Sequence, residues 1–215
     1  RGMTYLELVN AVMTRLREPQ VTGLSSTYSQ LIAAFVNDAK RAVEDAAPWI
    51  QLNQTVSVTT VADQSDYELT GSNNRTTVMS VVRNDTRTQL VRSSDRELIA
   101  LKQTETGSSS PSKWAVIGQA SSGALTVRVH PTPAGAIDLS FNCYIPQDDF
   151  VTASTELLIP SEPVYLRALA MAIKERGEDA GTRYDEAMDN YRRVLSRYLI
   201  LNNSANGSSG QWQVI

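Results

Sequence analysis

Apolar residues recur at helical spacing near both ends of the chain and with a period of two between them. At the front, Tyr5, Leu8, Val9, Val12, Met13 and Leu16 lie on one face. The pattern Thr4-x-x-Glu7 ahead of them is a capping box, in which the threonine oxygen and the glutamate each satisfy a free amide. The spacing predicts a helix from Tyr5 to Arg17, closed by Pro19. A second stripe, Leu31, Ile32, Phe35, Val36, Ala39, Val43 and Ala46, predicts a helix ended by Pro48 and Trp49. Its other face carries Lys40 with Glu44 and Arg41 with Asp45, one turn apart, which is the pattern of a solvated face.

From Gln51 to Phe150 the alternation predicts strands over Gln54 to Val61, Asp66 to Thr70, Thr76 to Arg83, Thr88 to Arg92, Lys113 to Gly118, Ala124 to His130 and Ile137 to Tyr144. Turn residues separate them, as at Gly71-Ser72-Asn73-Asn74 and Ser121-Ser122-Gly123. A capping box at Ser94-x-x-Glu97, followed by Leu98 and Leu101, predicts one helical turn. The serine-rich stretch Thr104 to Ser112 reads as a mobile loop.

Helical spacing returns after Pro160, where Ser161 is the expected cap for Val164, Leu166, Leu169, Ala172 and Ile173, with Gly177 as the stop. In the last helix Thr182 is the expected cap, and Tyr184, Ala187, Met188, Tyr191, Val194, Leu195 and Tyr198 form a stripe. Residues 203–210 then read as a leash ending in an apolar tip at Trp212, Val214 and Ile215.

Stripes at the two ends must be buried, and each supplies what the other lacks. The expected fold is therefore α+β: a helical bundle formed by N- and C-terminal helices, an inserted antiparallel β-rich region of sandwich or barrel type, and a flexible C-terminal tail. The expected divisions are 1–50 and 151–202 for the helical core, 51–150 for the insertion and 203–215 for a docking tail.

Composition removes several classes of function. Twenty Lys and Arg against 23 Asp and Glu, a net charge of −3, is not the balance of a protein that grips nucleic-acid phosphates. The apolar stretches are too short to span a bilayer, and the opening lacks the basic front and apolar block of a signal peptide. The expectation is a protein kept in the cytosol, where the single Cys143 suits a reducing compartment.

Few residues here could carry chemistry. His130 falls on the strand face of Thr126 and Arg128, opposite Leu125, Val127 and Val129, so it is expected in solvent at a strand end. Cys143 shares its face with Ile137, Leu139 and Phe141 and is expected in the core. One histidine and one cysteine are too few for a zinc site. Asp148-Asp149 and Glu178-Asp179 lack the spaced ligands of a calcium loop and read as solvated turns. No catalytic, cofactor-binding or metal-binding residues are expected, and no cofactor.

The order of these segments resembles the head-to-tail adaptor, or connector, subunits of tailed bacteriophages, most of all those of short-tailed phages. The resemblance rests on Met3-Thr4-Tyr5-Leu6-Glu7-Leu8-Val9-Asn10, on Phe35-Val36-Asn37-Asp38-Ala39-Lys40-Arg41-Ala42-Val43-Glu44-Asp45, and on Val127-Arg128-Val129-His130-Pro131-Thr132-Pro133 followed by Leu139-Ser140-Phe141-Asn142-Cys143-Tyr144. It implies a non-enzymatic virion protein at the head-tail junction, assembled in the host cytoplasm. It implies a homo-oligomeric ring, usually dodecameric, between the portal protein and a tail or nozzle protein. Double-stranded DNA would pass through the channel without specific binding, and no membrane is involved. It also implies that Trp212, Val214 and Ile215 dock on the portal.

Two other readings stay open at this level. The β region could be a receptor- or glycan-binding module, with Trp114 and Tyr144 as stacking residues rather than core. The chain could also be a virion-associated cell-wall hydrolase.

Overall fold

The computed structural model describes residues 2–105, 107–177 and 182–205. The chain divides into two compact units. One joins the chain up to Leu52 with the chain from Gln147 onward, and the other is Asn53–Pro146. The fold is α+β, with the terminal helices in the first unit and two sheets in the second.

The helical unit holds α1 (Tyr5–Arg15), α2 (Thr27–Glu44), α4 (Ser161–Arg176) and α5 (Thr182–Ala205). The capping box forms at α1: Glu7 donates its amide to the Thr4 hydroxyl at 3.3 Å, and the Thr4 amide donates to the Glu7 carboxylate at 2.7 Å. The helix stops two residues short of Arg17, because Arg17 takes a left-handed φ of 60°. The Arg17 amide then reaches Thr14 O and the Glu18 amide reaches Met13 O, a Schellman closure with arginine in the place usually held by glycine. Ser26 caps α2 by accepting from the Ser29 amide at 3.2 Å. Beyond the other end of α2, the Trp49 indole donates to Val43 O at 2.6 Å and satisfies one of the last carbonyls.

Helix α4 packs against α1, α2 and α5, so it is central. Its sequence shows why: Ala168, Ala170 and Ala172 are buried at a spacing of two, which places small residues on several sides and lets neighbouring helices approach. Burial is therefore wider than one stripe. Ser161 is not its cap; Pro160 holds that position, and no side chain bonds there. Gly177 ends the helix at φ 65°, as expected of a left-handed stop. Thr182 is the first residue of α5 rather than a residue ahead of it. The α5 stripe is buried at Tyr191 and Val194, and the helix runs on to Ala205. The leash thus cannot begin at Asn203.

The second unit is a β-sandwich. One antiparallel sheet has the order β1 (Asn53–Thr59), β8 (Asp138–Tyr144), β3 (Thr77–Arg83), β4 (Thr88–Gln89). The other has β2 (Asp66–Glu68), β7 (Leu125–His130), β6 (Lys113–Gln119), β5 (Val91–Arg92), and is mixed because β5 pairs parallel with β6. Residues of both sheets, among them Val81, Trp114, Val127, Leu139, Phe141 and Cys143, form one buried cluster. Two expectations change here. The single strand Thr88 to Arg92 divides at Leu90, which is buried and donates its amide to Val81 O while the next amide, Val91, goes to Ser112 O in the other sheet. A strand that switches sheets at a sandwich corner needs an apolar residue there to fill it. The helical turn after Ser94 is longer than one turn, running over ten residues as α3 (Asp95–Thr104). The serine-rich stretch beyond it is anchored at two points, by Ser109 N to Thr132 O and Ser112 N to His130 O.

Candidate docking surfaces

The polar face of α2 is only partly in water: Arg41 and Asp45 are exposed, as expected. Lys40 and Glu44 have side chains with no exposure at all. The Lys40 ammonium donates to Gln147 O at 2.6 Å and Asp148 O at 3.1 Å, with Glu44 Oε1 3.5 Å away. Glu44 Oε1 in turn accepts from the Gln147 amide at 3.1 Å. One turn earlier, Asn37 accepts from the Phe150 amide at 2.9 Å and donates to Phe150 O at 3.1 Å. Arg41 completes the strip, its Nε donating to Asp149 at 2.8 Å. Part of the face that reads as solvated is a clamp for the chain segment 147–150. Nothing in the sequence marks this, since i,i+4 charge pairs look alike in water and under a covering strand. Asp148 and Asp149 are both exposed, as expected of a solvated pair, although the Asp148 carbonyl accepts from Lys40 and the Asp149 carboxylate meets Arg41.

At the far end of the helical unit, a recess of about 240 Å³ is lined by Trp49, Ile50, Pro160, Tyr198 and Leu201, together with polar residues. Asn202 builds its wall: Oδ1 accepts from the Ile50 amide at 3.0 Å and Nδ2 donates to Pro48 O at 3.0 Å. Around it Ile50, Ile200 and Leu201 are exposed apolar residues. A wider and more polar hollow of about 530 Å³ lies along α1, with Glu7, Asn10, Thr14, Arg15 and Gln20. The expected docking residues Trp212, Val214 and Ile215 lie outside the described residues, as do Glu178 and Asp179.

In the sandwich, His130 is buried rather than solvated, with Nε2 2.9 Å from Glu105 Oε2. It sits at the end of β7, where Glu105, just past α3, covers it; a period-two pattern cannot anticipate that cover. Cys143 is fully buried, and burial pushes its thiol up to about 11, so it is a core residue with little thiolate at neutral pH. Trp114 is 1% exposed with the Arg92 guanidinium over its ring, which makes it core and not a stacking platform. Tyr144 is half-buried. Among the described residues no group of three or more His, Cys, Asp or Glu could hold a metal ion, and no helix is long and apolar enough to cross a membrane.

A charge network joins the second sheet to α3. Arg128 forks onto Asp66 at 2.7 and 2.8 Å and reaches Asp95 at 2.7 Å. The hydrogen bonds from Arg128 hold the Asp66 carboxyl below its usual range. A carboxyl lowered by folding contributes stability above its unfolded value of roughly 4, and the contribution is lost as pH falls through the lower folded value. Unfolding midpoints followed from pH 6 downward should therefore drop more steeply below about pH 4 in the native protein than in Asp66→Asn, in which this group no longer titrates.

The lone histidine and the lone cysteine are both built into the packing of the sandwich. The chain matches the model of the SU10 adaptor protein family over residues 3–213 and belongs to that family. It is thus a phage adaptor-type protein, a structural component of the virion at the head-tail junction. No curated protein matches the chain.

Proposed function

We propose that this protein forms a ring, twelvefold as is usual for such adaptors, between the portal and the tail or nozzle of a short-tailed phage, and that the ring continues the DNA channel. The observation that carries the reading is the family match across nearly the whole chain. Surface chemistry supports it. A net charge of −3 gives no general attraction to DNA phosphates, which suits a conduit through which DNA slides. The C-terminal segment is the portal-docking element in this reading. It follows the end of α5, where Ile200 and Leu201 are already exposed, and it carries Trp212, Val214 and Ile215 beyond a stretch that has no large apolar residue. Tryptophan supplies much of the energy at many interfaces.

The test is deletion of Gly210 to Ile215. The truncated protein should melt within a degree or two of the full chain and fail to be retained by immobilised portal rings. Retention equal to that of the full chain would remove the tail from this role, and a fall of several degrees would mean that the tip packs on its own subunit.

A further inference from the structure

The four sheet edges of the sandwich are unequal. Strands β4 and β5 have two residues each and β2 has three, whereas β1 has seven. Short edges are protected edges, and long ones are usually blunted by proline, by charge or by a bulge. Strand β1, Asn-Gln-Thr-Val-Ser-Val-Thr, has no proline and no charged residue, and its pairing with β8 is unbroken from Asn53 to Thr59.

Its hydrogen-bonding sense follows from the bonds that flank it. The Thr60 amide donates to Ile137 O at 2.9 Å, and Asn84 donates to Asp138 O on the other side of β8 at 2.9 Å. In an antiparallel ladder the bonded pairs alternate. Val58, Val56 and Gln54 therefore turn their backbone groups toward β8, and Thr55, Ser57 and Thr59 turn theirs outward. These three residues are exposed, and among the described residues none of their outward amides or carbonyls meets a hydrogen-bond partner. Val56 and Val58 lie on the opposite side of the pleat, half-buried against the sandwich core.

We propose that β1 is a self-association edge, which pairs antiparallel with β1 of a second copy about a two-fold axis at Ser57. Length selects this occupant: no other sheet edge among the described residues offers more than three residues to a seven-residue strand. Register agrees. With Ser57 opposite Ser57 of the second copy, Thr55 faces Thr59 in bonded pairs, so the outward groups of both strands meet. The intervening unbonded pairs set Val56 against Val58, apolar on apolar, on the side already packed on the core. The two sheets become one of eight strands, with both long edges covered. A two-fold contact is closed. It therefore belongs to the subunit before it enters a ring of head-to-tail contacts, and it covers the edge in the interval. It does not depend on the portal-docking role of the C-terminal tip.

Sedimentation equilibrium of the full chain over a concentration series tests this. The native protein should pass from 23.6 kDa to twice that mass. Thr55→Lys with Thr59→Lys places lysine opposite lysine twice across the axis and should hold the protein at the single-chain mass. Thr55→Glu with Thr59→Lys places opposite charges there and should restore the doubled mass. Both sites are exposed, and an unchanged circular-dichroism spectrum with a cooperative melting transition will show that folding is intact. A native protein that stays at 23.6 kDa, an assembly that ignores the double lysine variant, or a failure of the Glu-Lys variant to restore pairing overturns the proposal.

Discussion

Lys40→Met should destabilise the helical unit by about 3–5 kcal/mol, because it removes the ammonium beside the fully buried Glu44 carboxylate and the donor to two carbonyls. Glu44→Leu should cost a similar amount by removing the carboxylate beside Lys40 and this acceptor of the Gln147 amide. The informative variant is the pair. Lys40→Met with Glu44→Leu removes both charges together, so its cost should fall well below the sum of the two single changes. It should not fall to zero. The charges hold backbone groups of residues 147 and 148 as well as each other, and a methionine and a leucine leave those part-buried groups without these bonds, at up to about 1–3 kcal/mol for each group that finds neither water nor another partner. Urea denaturation of the four proteins closes the cycle. Strict additivity would mean that the two side chains act independently, contrary to the geometry of the clamp.

The second large effect is expected on α5. Tyr191 is 4% exposed, with the Arg167 guanidinium 5.2 Å from its ring centre. Truncation to alanine leaves a cavity beside α4 and should cost about 3–5 kcal/mol. Its neighbour Arg192 is exposed, and among the described residues its side chain bonds only Asp189 on its own helix, a pair of the kind worth a few tenths of a kcal/mol. Arg192→Ala should therefore leave the melting temperature nearly unchanged. Equal losses in the two variants would show that the buried face of α5 has been misassigned.

The two units also separate what local sequence determines from what it leaves open. Helices α1 and α5, the capping box at Thr4, the Ser94 cap of α3, the stop at Gly177 and the core face of β8 are all legible without coordinates. They depend on hydrogen bonds within four residues or on a repeat that matches one period, and both are properties of a short stretch of chain. Cys143 belongs to the same group, because its face is set by the alternation of Leu139 and Phe141. Lys40, Glu44 and His130 do not. Each is polar and sits where periodicity assigns solvent, and each is covered by a segment distant in sequence: 147–150 over α2, and Glu105 over His130. The division of Thr88 to Arg92 at Leu90 and the continuation of α5 to Ala205 have the same origin, since Val81 and Ser112 decide the first, and the bonds of Asn202 to Pro48 and Ile50 hold the second. Periodicity reports which face of an element is apolar. Whether a polar face meets water or another part of the chain depends on long-range packing, and a single sequence carries no local signal for it.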